Sequence, residues 1–190
     1  MPISRKVPRL VGDTRSPAKK SSEQDLYAAA LGALTRRAHS VFEMRTYLER
    51  RATEPDAAKS VLARLREQRL LDDARYAKEF ARMRARIRVQ GRYRIARELR
   101  ARGVSDAHIE AALAETFAEV DEAATVRKVI ARKIRALRGP LDARKAASLY
   151  GSLLRRGFDG TVIRRELKPA LRGASVSEEL PDVPMNEEGG

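Results

Sequence analysis

RIARELRARGVSDAHIEAAL, residues 94 to 113, reads as helix, glycine turn, helix. Ile95 and Leu99 stand one helical turn apart, Gly103 falls where a C′ glycine can take positive φ, and Ser105 can cap a second helix carrying Ile109 and Leu113. Two other stretches lie over it: EMRTYLERRATEPDAAKSVLARL (43–65) and AASLYGSLLRRGFDGTVIRREL (146–167). Met44, Ile95 and Leu149 correspond, as do Leu48, Leu99 and Leu153, then Ala52, Gly103 and Gly157, then Ala58, Ile109 and Ile163, and finally Leu62, Leu113 and Leu167. The offsets are 51 and 54 residues each time, too regular for chance placement of common apolar residues, which marks an internal repeat.

A helix precedes each copy, over Leu26 to Arg37, Asp73 to Val89 and roughly Asp121 to Leu137. Ser40 with Glu43, and Thr53 with Asp56, have the spacing of a capping box, and Pro55 is tolerable in a first turn; Asp159 can cap a late helix. No stretch alternates long enough to argue for a strand. The predicted fold is all-α: three tandem three-helix repeats, at 25–71, 72–119 and 120–173, forming an elongated, curved body. A basic arm over 1–24 and an acidic tail over 174–190, with Glu178, Glu179, Asp182, Glu187 and Glu188, are both expected to be disordered.

The 190 residues carry a formal net charge of +14, which makes polyanions the default partners. Nucleic acid comes before membrane, because no stretch approaches the length that spans a bilayer. The opening MPISRKVPRL lacks the apolar region of a secretory signal and the chain has no cysteine, so a cytoplasmic location is expected.

Much of the charge sits in LDDARYAKEFARMRARIRVQG, residues 71–91. Tyr76, Phe80, Met83 and Ile87 make one apolar stripe on the helical period, and Arg75, Lys78, Arg82 and Arg86 a cationic row on roughly the opposite side. Asp72 reads as the N-cap and Asp73 as a first-turn acid favoured by the helix dipole. The third unit repeats the design, with Val126, Ile130, Ile134 and Leu137 packed and Lys128, Arg132 and Arg135 opposite; Arg92, Arg94, Arg97, Arg100 and Arg102 add charge in the middle unit.

Catalysis finds no footing. No G-x-x-x-x-G-K-[ST] loop is present, and His39 and His108 are far apart without metal-ligand spacing. Asp72 and Asp73 alone make no cation cage. No enzyme activity, metal site or cofactor is expected.

RRAHSVFEM, RLLDDARYAKEF, QGRYRIARELRARGV and AHIEAAL resemble the RecX family of bacterial recombination regulators over about residues 25 to 170. Leu70, Leu71, Asp72, Asp73, Tyr76, Ala77, Gly91, Arg92, Leu99, Gly103 and Leu113 carry the likeness. Arg69 and Ala52 depart from it, each standing where the family commonly has glycine. The resemblance implies a protein that lies in the groove of the RecA filament on single-stranded DNA and restrains ATP hydrolysis, filament growth and strand exchange. Arg75, Lys78, Arg82, Arg86, Arg92, Arg94, Lys128, Arg132 and Arg135 are assigned to contact with RecA or DNA, with Leu71, Asp72, Asp73, Tyr76, Gly91 and Gly103 as structural motif residues. Duplex DNA is a further expected partner, and the chain is expected to be a monomer. A sequence-specific helix-turn-helix regulator is the rival reading, since short helices with tight turns also make that motif. A structural RNA-binding protein is disfavoured by the low aromatic content.

Overall fold

The computed structural model describes residues 22–173, which form nine helices: α1 (Glu23–Arg36), α2 (Val41–Glu49), α3 (Pro55–Glu67), α4 (Asp73–Arg86), α5 (Arg92–Arg100), α6 (Asp106–Glu119), α7 (Glu122–Arg135), α8 (Ala143–Arg155) and α9 (Gly160–Gly173). No strand occurs among the described residues. The expected acidic tail and most of the basic arm lie outside them. Residues 22–24 do not belong to an arm: Ser22 and Asp25 close a capping box, and α1 begins at Glu23, three residues before the predicted Leu26.

Local signals account for most helix ends. The Ser40–Glu43 box forms as predicted, the hydroxyl accepting from the Glu43 N–H at 3.1 Å and the carboxylate from the Ser40 N–H at 3.2 Å. The Thr53–Asp56 box does not form. Glu54 is the N-cap instead, without a side-chain bond, because Pro55 takes the first helical position and holds the residue before it extended. Gly103 and Gly157, at φ +71 and +81, close α5 and α8 with paired bonds back to Leu99 and Arg100, and to Leu153 and Leu154. Arg69 (φ 56) and Val89 (φ 53) hold the same left-handed conformation without being glycine, and Val89 ends α4 short of its predicted limit.

Three separate hydrophobic clusters hold the chain together, one per unit. The first gathers Leu26, Met44, Leu48, Val61, Leu65 and Leu71. Tyr76, Phe80, Ile95, Leu99 and Ile109 build the second, and Val126, Ile130, Leu153, Phe158, Ile163 and Leu167 the third. In the third unit the stripe packs as predicted, with Val126 and Ile130 buried and Ile134 and Leu137 against the cluster.

The stripe on α4 is different from the one predicted. Tyr76 and Phe80 are buried, but Met83 and Ile87 stand 37% and 73% exposed, and Ala77, Ala81 and Ala85 are buried in their place. The packed arc is turned by roughly 80° toward this alanine column. Small side chains four apart make a shallow groove into which α6 lays Ile109 and Ala112, and close backbone approach outweighs the larger hydrophobes.

Consecutive units meet through one joint, used twice. At the first, the Ser40 hydroxyl donates to the Arg102 carbonyl at 2.6 Å, the Val41 N–H donates to the Asp73 carboxylate at 2.9 Å, and Phe42 covers Gly103. At the second, the N–H groups of Gly91 and Tyr93 donate to the carbonyls of Arg156 and Gly157 at 2.9 and 3.1 Å, and Arg92 pairs with Glu122 at 3.3 Å. Ser40 and Gly91 are equivalent in the repeat, as are Arg102 and Arg156. Each joint therefore sets the N-terminus of one unit's second helix on the C-terminal turn of the next unit's second helix. Unpaired donors meet unpaired acceptors there, and the two helix dipoles run head to tail. A Cβ on Gly91 would collide with the Gly157 carbonyl, and one on Gly157 with the Arg94 backbone nitrogen, which explains glycine at both places.

Candidate functional site

The cationic row on α4 faces a matching acidic row. Glu115 and Glu119 lie one turn apart on α6, where Lys78 reaches Glu115 at 2.8 Å, Arg82 reaches Glu115 and Glu119 at 2.7 and 3.4 Å, and Arg86 reaches Glu119 at 2.6 Å. The Lys78 ammonium beside Glu115 holds its carboxyl below the usual carboxylate range. Arg75 stands apart at the α4 N-terminus, on the rim of a recess with Leu34, His39, Leu70 and Glu79. Rotation of α4 onto its alanine column is what brings the row within reach of α6. Periodicity within α4 could not show this; the i, i+4 pair Glu115 and Glu119 was the available signal.

Arg92 and Arg94 are also engaged. Arg92 pairs with Glu122 across the second joint and lies 5.0 Å from the Phe117 ring centre. Burial pushes the Glu122 carboxyl above the usual range, outweighing the attraction of Arg92. Arg94 donates to Glu98 at 2.9 Å and to the Arg155 carbonyl at 3.3 Å, and Arg84 reaches Glu98 at 3.1 Å. Burial alone would raise the Glu98 carboxyl; the Arg94 hydrogen bond and the Arg84 charge overcome it and hold Glu98 below the usual range. A carboxyl depressed in the folded state contributes stability above its unfolded value near 4.5, lost as pH falls through the lower folded value. Glu98→Gln is therefore expected to lower stability by about 1 kcal/mol at pH 7, and by progressively less as acid, toward pH 3, protonates the native side chain as well. Thermal unfolding of both proteins at the two pH values checks this; a gap that does not shrink in acid removes the ionic role.

Lys128, Arg132 and Arg135 behave otherwise. All three are exposed on α7, and no carboxylate among the described residues lies within ion-pair distance of them. They line an open recess of about 520 Å³ between α7 and the end of α4, with Arg86, Val89 and Val129 also in its walls.

The motif residues take structural positions. Leu71 is buried in the first cluster and Tyr76 in the second. Asp72 caps α4, accepting from the Arg75 N–H at 2.9 Å, and Asp73 belongs to the first joint. His39 Nδ1 lies 2.9 Å from the Arg37 carbonyl oxygen, and His108 is exposed. No group of three His, Asp or Glu placed to hold a metal occurs among the described residues, and none of their helices is long and apolar enough to cross a membrane.

Comparison with known proteins bears on the same units. The family models described as the first and second three-helix domains of RecX match residues 27–65 and 72–113. A regulatory protein RecX from Prosthecochloris aestuarii is 37% identical over 142 residues, covering 75% of this chain and 91% of that one. One from Halorhodospira halophila is 43% identical over 136 residues, 72% of this chain and 82% of its own. The crystal structure of RecX from Lactobacillus salivarius superposes with a TM-score of 0.64 at 21% identity, over 78% of this chain and 96% of that one, a likeness of fold. With its first two helical units matched in order, and with relatives this similar over most of their length, the chain belongs to the RecX family of regulatory proteins.

Proposed function

We propose that the chain binds the RecA recombinase assembled on single-stranded DNA, lying along the groove of that filament, and restrains its ATP hydrolysis, growth and strand exchange. It acts in the cytoplasm, as a monomer and without a cofactor. RecX family membership is the observation that carries this reading. The body supports it: units joined end to end by a repeated joint offer separated contacts to a repeating partner, and several weak contacts made by one molecule favour the assembled filament over free protomer or bare DNA. Preference for a restrained filament shifts the population toward it only as far as that preference allows, so inhibition rises with occupancy and weakens as salt screens the cations.

The test is ATP hydrolysis by RecA on single-stranded DNA, with the chain added before or after filament assembly, at two salt concentrations. Suppression in both orders, weaker at high salt, is expected. Unchanged hydrolysis and strand exchange at every ratio, together with tight binding to one duplex sequence, would hand the function to a helix-turn-helix regulator.

A further inference from the structure

We infer that the recess between α4 and α7 is the seat of an unpaired nucleic-acid strand, and that the cationic row of α4 is an internal strut. This deepens the regulatory reading by naming where the nucleic acid lies, and rests on it only for its setting. Both rows have the same residue types, one Lys and two Arg about a helical turn apart; what separates them is the neighbouring helix. Lys78, Arg82 and Arg86 have Glu115 and Glu119 at 2.6 to 2.8 Å. A phosphate approaching them must compete with carboxylates already in place. Lys128, Arg132 and Arg135 offer their charge with no such competitor among the described residues, and they converge on one concave surface. Over i, i+4 and i+7 the row is about 10 Å long, enough to follow a strand past successive phosphates.

The walls between the cations decide the kind of strand. Ala85, Val89, Val120 and Val129 line the same recess and are apolar. A duplex presents phosphate and sugar at its rim and keeps its bases stacked inside, so it has nothing to place on them. An unpaired strand can enter between two helices and lay a base there while its phosphates meet the rim. With no aromatic ring in the recess to stack on, the base rests on aliphatic side chains and the contact is independent of base sequence.

The experiment compares two charge-matched variants of the full chain, both with helix-compatible glutamines. Lys128→Gln/Arg132→Gln/Arg135→Gln strips the recess; Lys59→Gln/Arg64→Gln/Arg66→Gln removes the same charge from α3. Binding of a fluorescent oligothymidylate, without RecA, is measured against salt, with circular dichroism as the fold control. The recess variant should bind at least about tenfold more weakly at low salt, and its logarithmic salt slope should fall by about 2, at about 0.7 per neutralised phosphate. The α3 variant should stay within about threefold of the parent. Equal losses in both would reduce the effect to net charge and overturn the site. An equal loss on a duplex of the same length would overturn the unpaired strand, and unchanged oligothymidylate binding with weakened RecA binding would give the recess to an acidic protein wall. RecA hydrolysis assayed in parallel judges the regulatory reading separately: a parent chain that leaves RecA untouched yet loses oligothymidylate through the recess variant retires the regulator and keeps the site.

Discussion

A Gly157→Ala variant is expected to lose roughly 2–4 kcal/mol of stability, concentrated where the third unit meets the second. Two costs add. Alanine at φ +81 pays for a left-handed conformation, about 1 kcal/mol, and its Cβ would press into the backbone of Arg94 at the start of α5, which cannot swing aside as a side chain would. Gly139 separates the two, since it sits at φ +84 with nothing within 4 Å of the place a Cβ would take, so Gly139→Ala bears the conformational cost alone. Denaturant unfolding of both variants measures the difference. Equal losses would mean that the joint has room to spare and does not fix the units.

Leu153→Ala tests how independent the units are. Leu153 is fully buried in the third cluster, and removing three heavy atoms there is expected to cost about 3 kcal/mol. Because the three clusters are separate, that loss should remain local: amide exchange from the core of α7, α8 and α9 should quicken roughly a hundredfold, while α1, α2 and α3 keep their protection. Acceleration spread evenly from α1 to α9 would show one cooperative body.

The repeat was legible because residues such as Leu48, Leu99 and Leu153 do the same work in each unit, and burial tolerates few replacements at such places. Caps at Ser40 and Asp72 and the glycines at 103 and 157 were legible for a similar reason: each answers a need of the backbone within a few residues. The face of α4 was not. Met83 and Ile87 outrank alanine in hydrophobicity, yet Ala77, Ala81 and Ala85 are inside because α6 needs a close approach, a demand set by a helix some thirty residues away. The same rotation turned a row expected to meet a partner into ion pairs with Glu115 and Glu119, whereas the similar row on α7 stayed open. The pairing of Ser40 with Arg102 and of Gly91 with Arg156 likewise joins residues more than sixty positions apart, beyond the reach of any local pattern.

Two like joints between three like units amount to one screw operation applied twice. Under such an operation, equivalent atoms fall on a common helix with its own pitch, so Gly103 and Gly157 become marks on a ruler. Anything that reads such a ruler along its length must advance by a compatible step. Bending the joint at Gly91 and Gly157 would change the step without moving a single side chain on the outer faces, and a partner sensitive to register would detect it even though every surface charge remained in place.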